Sequence, residues 1–145
     1  MTERPGRPAA GHRSLPHTAD SRIEAWAPDR ERCLAEAVTG LVGSFSEVPA
    51  TAERRTATVR LEPAPDQDLL VELLEEVVYR LDAQGELPAS VRLAALPGGG
   101  LEARLEMVRA DAAQAVGAVP KAVSLHGLEL VRDGCGWRCA FTVDV

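Results

Sequence analysis

The sequence has few aromatic residues and no long apolar run. Aromatic side chains make up 3% of its 145 residues, so the core must be built mainly from Leu, Val and Ala. Proteins that bind single-stranded nucleic acid without sequence preference stack bases on several exposed aromatic side chains, and this chain has few to offer. No apolar stretch approaches the ~20 residues that cross a bilayer, so we expect no membrane contact.

Positive charge is also in short supply. The chain has 16 Lys and Arg residues against 22 Asp and Glu residues, which gives a net charge of −6. Proteins that grip phosphate backbones usually carry a basic face, so we expect no strong direct nucleic-acid binding. An acidic protein is instead compatible with docking onto a basic partner.

Cysteine is scarce as well, with only Cys33, Cys135 and Cys139 in the chain. An odd, small number of cysteines predicts no disulfide framework and indicates a reducing compartment. The first residues lack the apolar segment of a signal peptide, and we therefore expect a cytoplasmic protein. On one extended strand Cys135 and Cys139 would lie ~13 Å apart at ~3.3 Å per residue, too far to share a metal, so free thiols are the favoured interpretation.

The composition divides the chain into two parts. Residues 1–14 are rich in Pro, Gly and Arg and predict a disordered tail. Residues 15–145 have the length of one ordinary domain and predict a single domain.

The apolar periodicity predicts an α+β fold with the order β-α-β-α-β-β-β-β. Ser21–Trp26 is the first predicted strand, and a helix capped by Asp29 follows it. Arg55–Glu62 is the second strand. The next helix, capped by Asp66 or Asp68, has the clearest apolar stripe in the chain, which its leucines and valines form between residues 69 and 81.

The remaining strands form two hairpins. Pro97–Gly100 and Asp133-Gly134 are typical hairpin turns, and residues 109–119 between the hairpins predict a loop with one helical turn. Two amphipathic helices must bury their stripes against a mostly antiparallel sheet, which completes the α+β prediction.

No catalytic motif is apparent. No Gly-x-Ser-x-Gly elbow frames a serine, and the run Gly98–Gly100 lacks the Gly-Lys-Ser/Thr and the following helix of a phosphate loop. We therefore predict no catalytic residue and no enzymatic activity. A metal-dependent hydrolase is the least supported hypothesis, because neither a nucleophile nor a general base is framed.

Two aspartates carry more information. Asp20 precedes the first predicted strand, and Asp144 ends the last one. If these strands pair antiparallel, the start of one lies opposite the end of the other, and the terminal carboxylate of Val145 lies beside both. Three clustered carboxylates repel one another, and a hard cation such as Ca²⁺ or Mg²⁺, which takes oxygen ligands, relieves the repulsion. Solvated aspartates at strand ends remain the alternative.

Three further residues are candidates for a site, although each has an ordinary structural interpretation. His17 and His126 are the histidines inside the predicted domain, and either is compatible with a hydrogen-bonded structural residue. Lys121 follows Pro120 at the start of a strand and is compatible with a surface lysine.

Four segments, in this order along the chain, resemble motifs of the archease family. His17-Thr18-Ala19-Asp20 looks like the signature that opens archease domains, and Leu69–Asp82 is similar to their second helix. Lys121–Leu128 resembles their Lys-Ala-Val-Thr-Tyr-His-Gly-Leu strand. Trp137–Val145 resembles their last strand, which finishes Asp-Ile or Asp-Val at the final residue.

The resemblance implies a small α+β domain that binds a divalent metal ion, calcium or magnesium, through Asp20, Asp144 and Val145. It also implies a partner, an RtcB-type RNA ligase, which joins RNA ends in tRNA splicing and RNA repair through a guanylylated histidine formed from GTP. The archease promotes that guanylylation and multiple turnover. Candidate partner contacts are Lys121, His126 and His17. The alternative hypothesis is a chaperone-like interaction domain of the same fold that does not activate a ligase.

Overall fold

The computed structural model describes residues 9–16 and 20–145. Within these residues the chain forms two helices, nine strands and one short 3₁₀ turn. In chain order the elements are β1 (Gly11–Pro16), β2 (Asp20–Ala27), α1 (Arg30–Gly43), β3 (Ser46–Glu47), β4 (Arg55–Leu61), α2 (Asp66–Gln84), β5 (Glu86–Ala95), β6 (Leu101–Arg109), the 3₁₀ turn (Ala110–Ala112), β7 (Gln114–Ala115), β8 (Ala122–Asp133) and β9 (Gly136–Asp144).

The strands form two main sheets, ordered β1-β2-β9-β8 and β4-β6-β5, while β3 and β7 make a small two-stranded sheet. Every strand pair in the described part of the chain is antiparallel. Helix α1 packs against β2, β9 and β5, and α2 packs against β8, β5 and β4. Each helix therefore contacts both main sheets, and the predicted α+β class is confirmed.

Helix α1 begins where the sequence predicts. Asp29 is its N-cap, and the Asp29 side chain accepts a hydrogen bond from the Arg32 N–H at 2.9 Å. The helix buries an apolar face that includes Cys33, as predicted. A Cβ on Gly40 would lie 3.0 Å from the Cβ of His12, so the glycine lets α1 and β1 approach closely.

Helix α2 buries the predicted stripe, with Leu69, Leu70, Leu73, Leu74 and Val77 fully enclosed. Gly85 ends the helix in the left-handed conformation, with φ at 64°. The predicted cap is wrong, because Pro65 takes the N-cap position and makes no side-chain hydrogen bond there. Asp66 lies inside the first turn instead, where its carboxylate accepts a hydrogen bond from Arg30 Nη1 at 2.8 Å and links the two helices.

The ordered domain begins before the predicted boundary at Leu15. Strand β1 starts at Gly11 and pairs with β2 over its whole length, which corrects the predicted disordered tail for residues 11–14. Its register places His12 on the same face as buried Ala25, and His12 Nδ1 lies 2.8 Å from Glu36 Oε1. His12 lies on the side that faces α1 but is polar and exposed, so β1 lacks the apolar alternation that marks a strand. The first eight residues of the predicted tail lie outside the described residues.

Both predicted hairpins are present. Gly98 and Gly99 turn the chain between β5 and β6 with φ values of 93° and 107°, and Gly134 lies in the turn between β8 and β9. Residues 109–119 contain the predicted helical turn and, in addition, the two-residue strand β7. Neither helix of the described residues combines the length and the hydropathy needed to cross a membrane.

Candidate metal centre

The two candidate aspartates meet at one end of the first sheet. Strands β2 and β9 pair antiparallel, and the register places Asp20 directly opposite Asp144. Residues in direct opposition point to the same face of a sheet, with Cβ atoms ~4.5–5.5 Å apart. The predicted meeting of these two residues is therefore confirmed, and both carboxylates project from one face.

Burial differs between the two carboxylates. Asp144 is exposed, whereas Asp20 is half-buried and its Oδ1 atom is enclosed by the protein. The two neighbours of Asp144 in the chain anchor this end of β9. Val143 is buried in the core, and the side chain of Val145 packs against the core. The chain terminus is thereby fixed beside Asp144.

Strand β8 borders the same site from the other side. Ala122 pairs with Asp144, and the Lys121 N–H donates a hydrogen bond to the Asp144 carbonyl oxygen at 2.7 Å. Lys121 itself is exposed. The structure thus brings Asp20, Asp144, Val145 and Lys121 to one sheet end.

The two histidine candidates fare differently. His126 lies in a bulge of β8, where the register with β9 shifts between Ser124 and Glu129. Its side chain is exposed, and its backbone N–H donates to Ser124 Oγ at 3.2 Å. Hence His126 lies on the strand that borders the aspartates but is not brought into contact with them. His17 lies outside the described residues.

Arg22 is a neighbour of the site that the sequence did not single out. Its Nη1 lies 3.3 Å from the Gly127 carbonyl oxygen and 3.5 Å from Thr142 Oγ1. Gly127 has a φ of 72°, and this conformation turns the bulge of β8 toward Arg22. No local pattern reports this contact, because it joins residues more than a hundred positions apart.

The buried thiols are also unexpected partners. Cys139 is enclosed in the core beside Cys33, while Cys135 is exposed, and all three are free thiols. A hydrogen bond with Cys33 and burial together raise the pKa of the Cys139 thiol. Cys33 Sγ in turn donates to the Ala25 carbonyl oxygen at 3.7 Å. The pair belongs to the packing of α1 on the first sheet.

The donors at the sheet end suit a hard cation. Carboxylate oxygens are the ligands that Ca²⁺ and Mg²⁺ prefer, and like charges in direct opposition destabilise an antiparallel pair. Over residues 9–16 and 20–145, no group of three or more His, Cys, Asp or Glu side chains is arranged to hold a metal ion. Asp20 and Asp144 supply two carboxylates, and a cation held there would need further oxygen ligands, such as backbone carbonyl oxygens, water or a terminal carboxylate.

Fold and site together define a small α+β protein that carries opposed carboxylates at the start of β2 and the end of β9. The model of the Archease protein family matches residues 12–145, nearly the whole chain. The chain belongs to the archease family.

Curated relatives agree with this assignment. Two proteins from Mycobacterium tuberculosis, strains CDC 1551 / Oshkosh and ATCC 25618 / H37Rv, are each named "Probable protein archease". Both are 48% identical to this chain over 142 residues, which is 97% of this chain and 79% of theirs. Neither these names nor the family description states a catalytic reaction.

Two solved structures share the fold. The solution structure of protein 1598 from Methanobacterium thermoautotrophicum matches with a TM-score of 0.67 at 17% identity, over 93% of this chain and 99% of that chain. The crystal structure of an archease from Thermotoga maritima, described as a possible chaperone, matches with a TM-score of 0.61 at 19% identity. That match covers 99% of this chain and 100% of the other.

Proposed function

We propose that this chain is a non-catalytic, metal-binding protein cofactor that promotes the guanylylation and turnover of an RtcB-type RNA ligase in tRNA splicing or RNA repair. The observation that carries the proposal is the direct opposition of Asp20 and Asp144, beside the chain end, in a member of the archease family. The hypothesis that the protein itself is not an enzyme belongs to the same proposal.

The metal part of the proposal follows from the donor set. Asp20, Asp144 and the terminal carboxylate of Val145 would hold one divalent cation, calcium or magnesium. Such an ion supplies a concentrated positive charge at the tip of an acidic protein. The residues themselves provide rigidity, because Val143 is buried and the Lys121 N–H holds the Asp144 carbonyl oxygen.

The partner part follows from charge. The chain has a net charge of −6, and complementary charge accelerates the encounter of two proteins. A ligase that binds RNA and GTP is expected to present a basic surface around its nucleotide site. Lys121, exposed at the same sheet end, and His126, exposed further along β8, are the candidate contacts on this chain, and His17 is a third.

The test is a ligation assay with the cognate ligase, Mn²⁺ and GTP. Wild-type protein below the ligase concentration should increase the number of turnovers and the amount of guanylylated ligase. Asp144→Asn should abolish the stimulation, while Asp68→Asn, which neutralises another exposed aspartate, should retain it. If wild-type protein leaves ligation and guanylylation unchanged, the activator hypothesis is wrong.

A chaperone-like interaction domain is the second candidate, and exposed apolar side chains favour it. Tyr79, Val116, Val119 and Leu125 are large hydrophobic residues on the surface of the described chain. The description of the Thermotoga maritima structure as a possible chaperone points the same way. Suppression of the aggregation of an unfolded client, without any ligase present, would favour this candidate.

A further inference from the structure

We propose that the cleft between α2 and residues 119–123 docks a segment of the partner protein in which basic residues flank an aliphatic one. This inference rests on the proposed function in one respect, because the partner is assumed to be the RtcB-type ligase. It adds a second contact region to the carboxylate end of the sheet, and it specifies the chemistry of the segment that fits there.

The cleft has a volume of about 450 Å³. One wall is the α2 face formed by Glu75, Val78, Tyr79 and Asp82. These positions are spaced i, i+3, i+4 and i+7, which places them on one side of a helix. The opposite wall is the chain that enters β8, from Val119 to Val123.

The apolar part of the cleft is open to solvent. Tyr79 is 58% exposed and Val119 is 55% exposed. The described chain has four large exposed hydrophobic residues, Tyr79, Val116, Val119 and Leu125, and three of them fall within ten residues around the start of β8. Grouped exposed apolar side chains mark interaction surfaces more often than single ones do.

Tyr79 lies outside the buried face of its own helix. The buried stripe of α2 contains Val77, and Tyr79 lies two positions later, on roughly the opposite side at ~100° per residue. A tyrosine in such a place offers a large, stiff apolar surface with a polar tip, which is typical of protein contact sites.

The carboxylates on the α2 wall select the partner segment, while Lys121 supplies a positive charge on the opposite wall. Glu75 and Asp82 are exposed, and among the described residues neither forms an ion pair within 4.0 Å. The two residues lie seven positions apart on the helix, a distance of ~10 Å at ~1.5 Å per residue. Val78 and Tyr79 lie between the two carboxylates. A matching segment therefore presents two cations with an aliphatic side chain between them.

The position of the cleft connects it to the candidate metal centre. Lys121 lines the cleft with its neighbour Ala122, and those two residues hold Asp144 by a backbone hydrogen bond and by strand pairing. A segment bound in the cleft would contact Ala122, which is the strand partner of Asp144. Docking would thus hold the metal centre in place against the partner.

Two double variants test the docking surface. Glu75→Lys with Asp82→Lys reverses the charges, and Tyr79→Ala with Val119→Ser removes the apolar contact. Glu53→Lys with Glu62→Lys is the matched control, because it makes the same charge change at two exposed glutamates outside the cleft. The dissociation constant for the cognate ligase is measured at low and high salt, together with melting temperature and ligation turnover.

Both cleft variants should bind the ligase at least about tenfold more weakly than wild type, while the control stays within about twofold. Wild-type binding should weaken with salt, and the reversed-charge variant should lose most of that dependence. Melting temperatures close to wild type would verify folding. If a double variant unfolds, the single variant Tyr79→Lys replaces it, because Tyr79 is exposed. Tyr79→Lys should also weaken binding to the ligase.

The outcomes separate this inference from the function on which it rests. Stimulation by wild type together with unchanged binding of the cleft variants would overturn the docking surface and leave the activator function standing. Unchanged binding of the reversed-charge variant alone would overturn the basic character of the segment. If the wild-type protein neither binds the ligase nor stimulates it, both proposals are wrong. A wild-type dimer that the cleft variants dissociate would assign the cleft to a second copy of the chain.

Discussion

Asp20 lies directly opposite Asp144 across the β2–β9 pairing, at the last register position before the chain ends. Like charges in direct opposition destabilise an antiparallel pair, and Ala122 on the other side of Asp144 offers no compensating charge. A cation bound between the carboxylates would turn this repulsion into attraction. The stability of the protein is therefore expected to depend on divalent metal.

The first prediction concerns that dependence. Calcium or magnesium should raise the melting temperature of the wild-type protein, because an ion that binds only the folded state stabilises it by about 2.7 kcal/mol at roughly a hundredfold excess over Kd. Asp20→Asn with Asp144→Asn should abolish the shift. Chelator should remove the shift from the wild-type protein.

Thermal melts with chelator, with calcium and with magnesium measure these differences. Asp68→Asn is the control, since it neutralises an exposed aspartate in the first turn of α2 instead. A metal shift in the double variant equal to that of wild type would remove both aspartates from the site.

The second prediction concerns the chain end. A tag fused after Val145 converts the terminal carboxylate into an amide and crowds Asp144, so metal affinity should fall by about tenfold or more if that carboxylate is a ligand. A tag at the other end of the chain should leave the affinity unchanged. Titration calorimetry of the two tagged proteins compares them directly, and equal affinities would exclude Val145 as a ligand.

The meeting of the aspartates could be predicted from sequence on one condition, that the first and last predicted strands pair antiparallel. Ile23 and Ala25 alternate with polar residues in the first predicted strand, and Asp144 ends the last predicted strand. Antiparallel pairing of the two then leaves one arrangement. The inward alternation that fixes the register is visible in the sequence, and the structure places those residues in the core.

Other features could not be predicted, because no local pattern reports them. In β1, His12 lies on the side that faces α1, where its ring contacts the Glu36 carboxylate instead of an apolar side chain. The bulge that brings Gly127 to Arg22 is a feature of tertiary structure. The cleft forms where α2 packs beside the start of β8, and the sequence does not show that packing. From the sequence alone, Tyr79 is one more residue of an amphipathic helix.

The third prediction concerns the turn that joins the last two strands and Gly136, the residue at which β9 begins. Gly136 has a φ of 133°, and a Cβ there would lie 2.6 Å from the Ala27 carbonyl oxygen. Gly136→Ala should therefore lower the free energy of unfolding by about 1–3 kcal/mol. Gly134, in the turn itself, has no atom within 4 Å of an added Cβ, and Gly134→Ala should stay within about 0.5 kcal/mol of wild type. Urea denaturation measures both, and equal stabilities would contradict the close approach.

The last prediction separates the two roles of Lys121, which is the sole lysine of the chain. Its backbone N–H holds the Asp144 carbonyl oxygen, and any replacement other than proline keeps that bond. Its exposed side chain is the candidate contact to the ligase. Lys121→Ala should therefore leave the metal-induced melting shift unchanged and reduce the stimulation of ligation.

The reduction should be about fivefold at most, because an exposed charge contributes roughly 1 kcal/mol or less. Lys121→Arg should restore part of the stimulation, since it keeps the positive charge on a longer side chain. Arg92→Ala is the control, because it removes an exposed cation from β5 in the other main sheet. Melting curves with and without calcium and ligation time courses are recorded on the same preparations. Loss of the metal shift in Lys121→Ala would mean that the side chain acts on the metal centre itself, and full stimulation by Lys121→Ala would remove it from the partner contact.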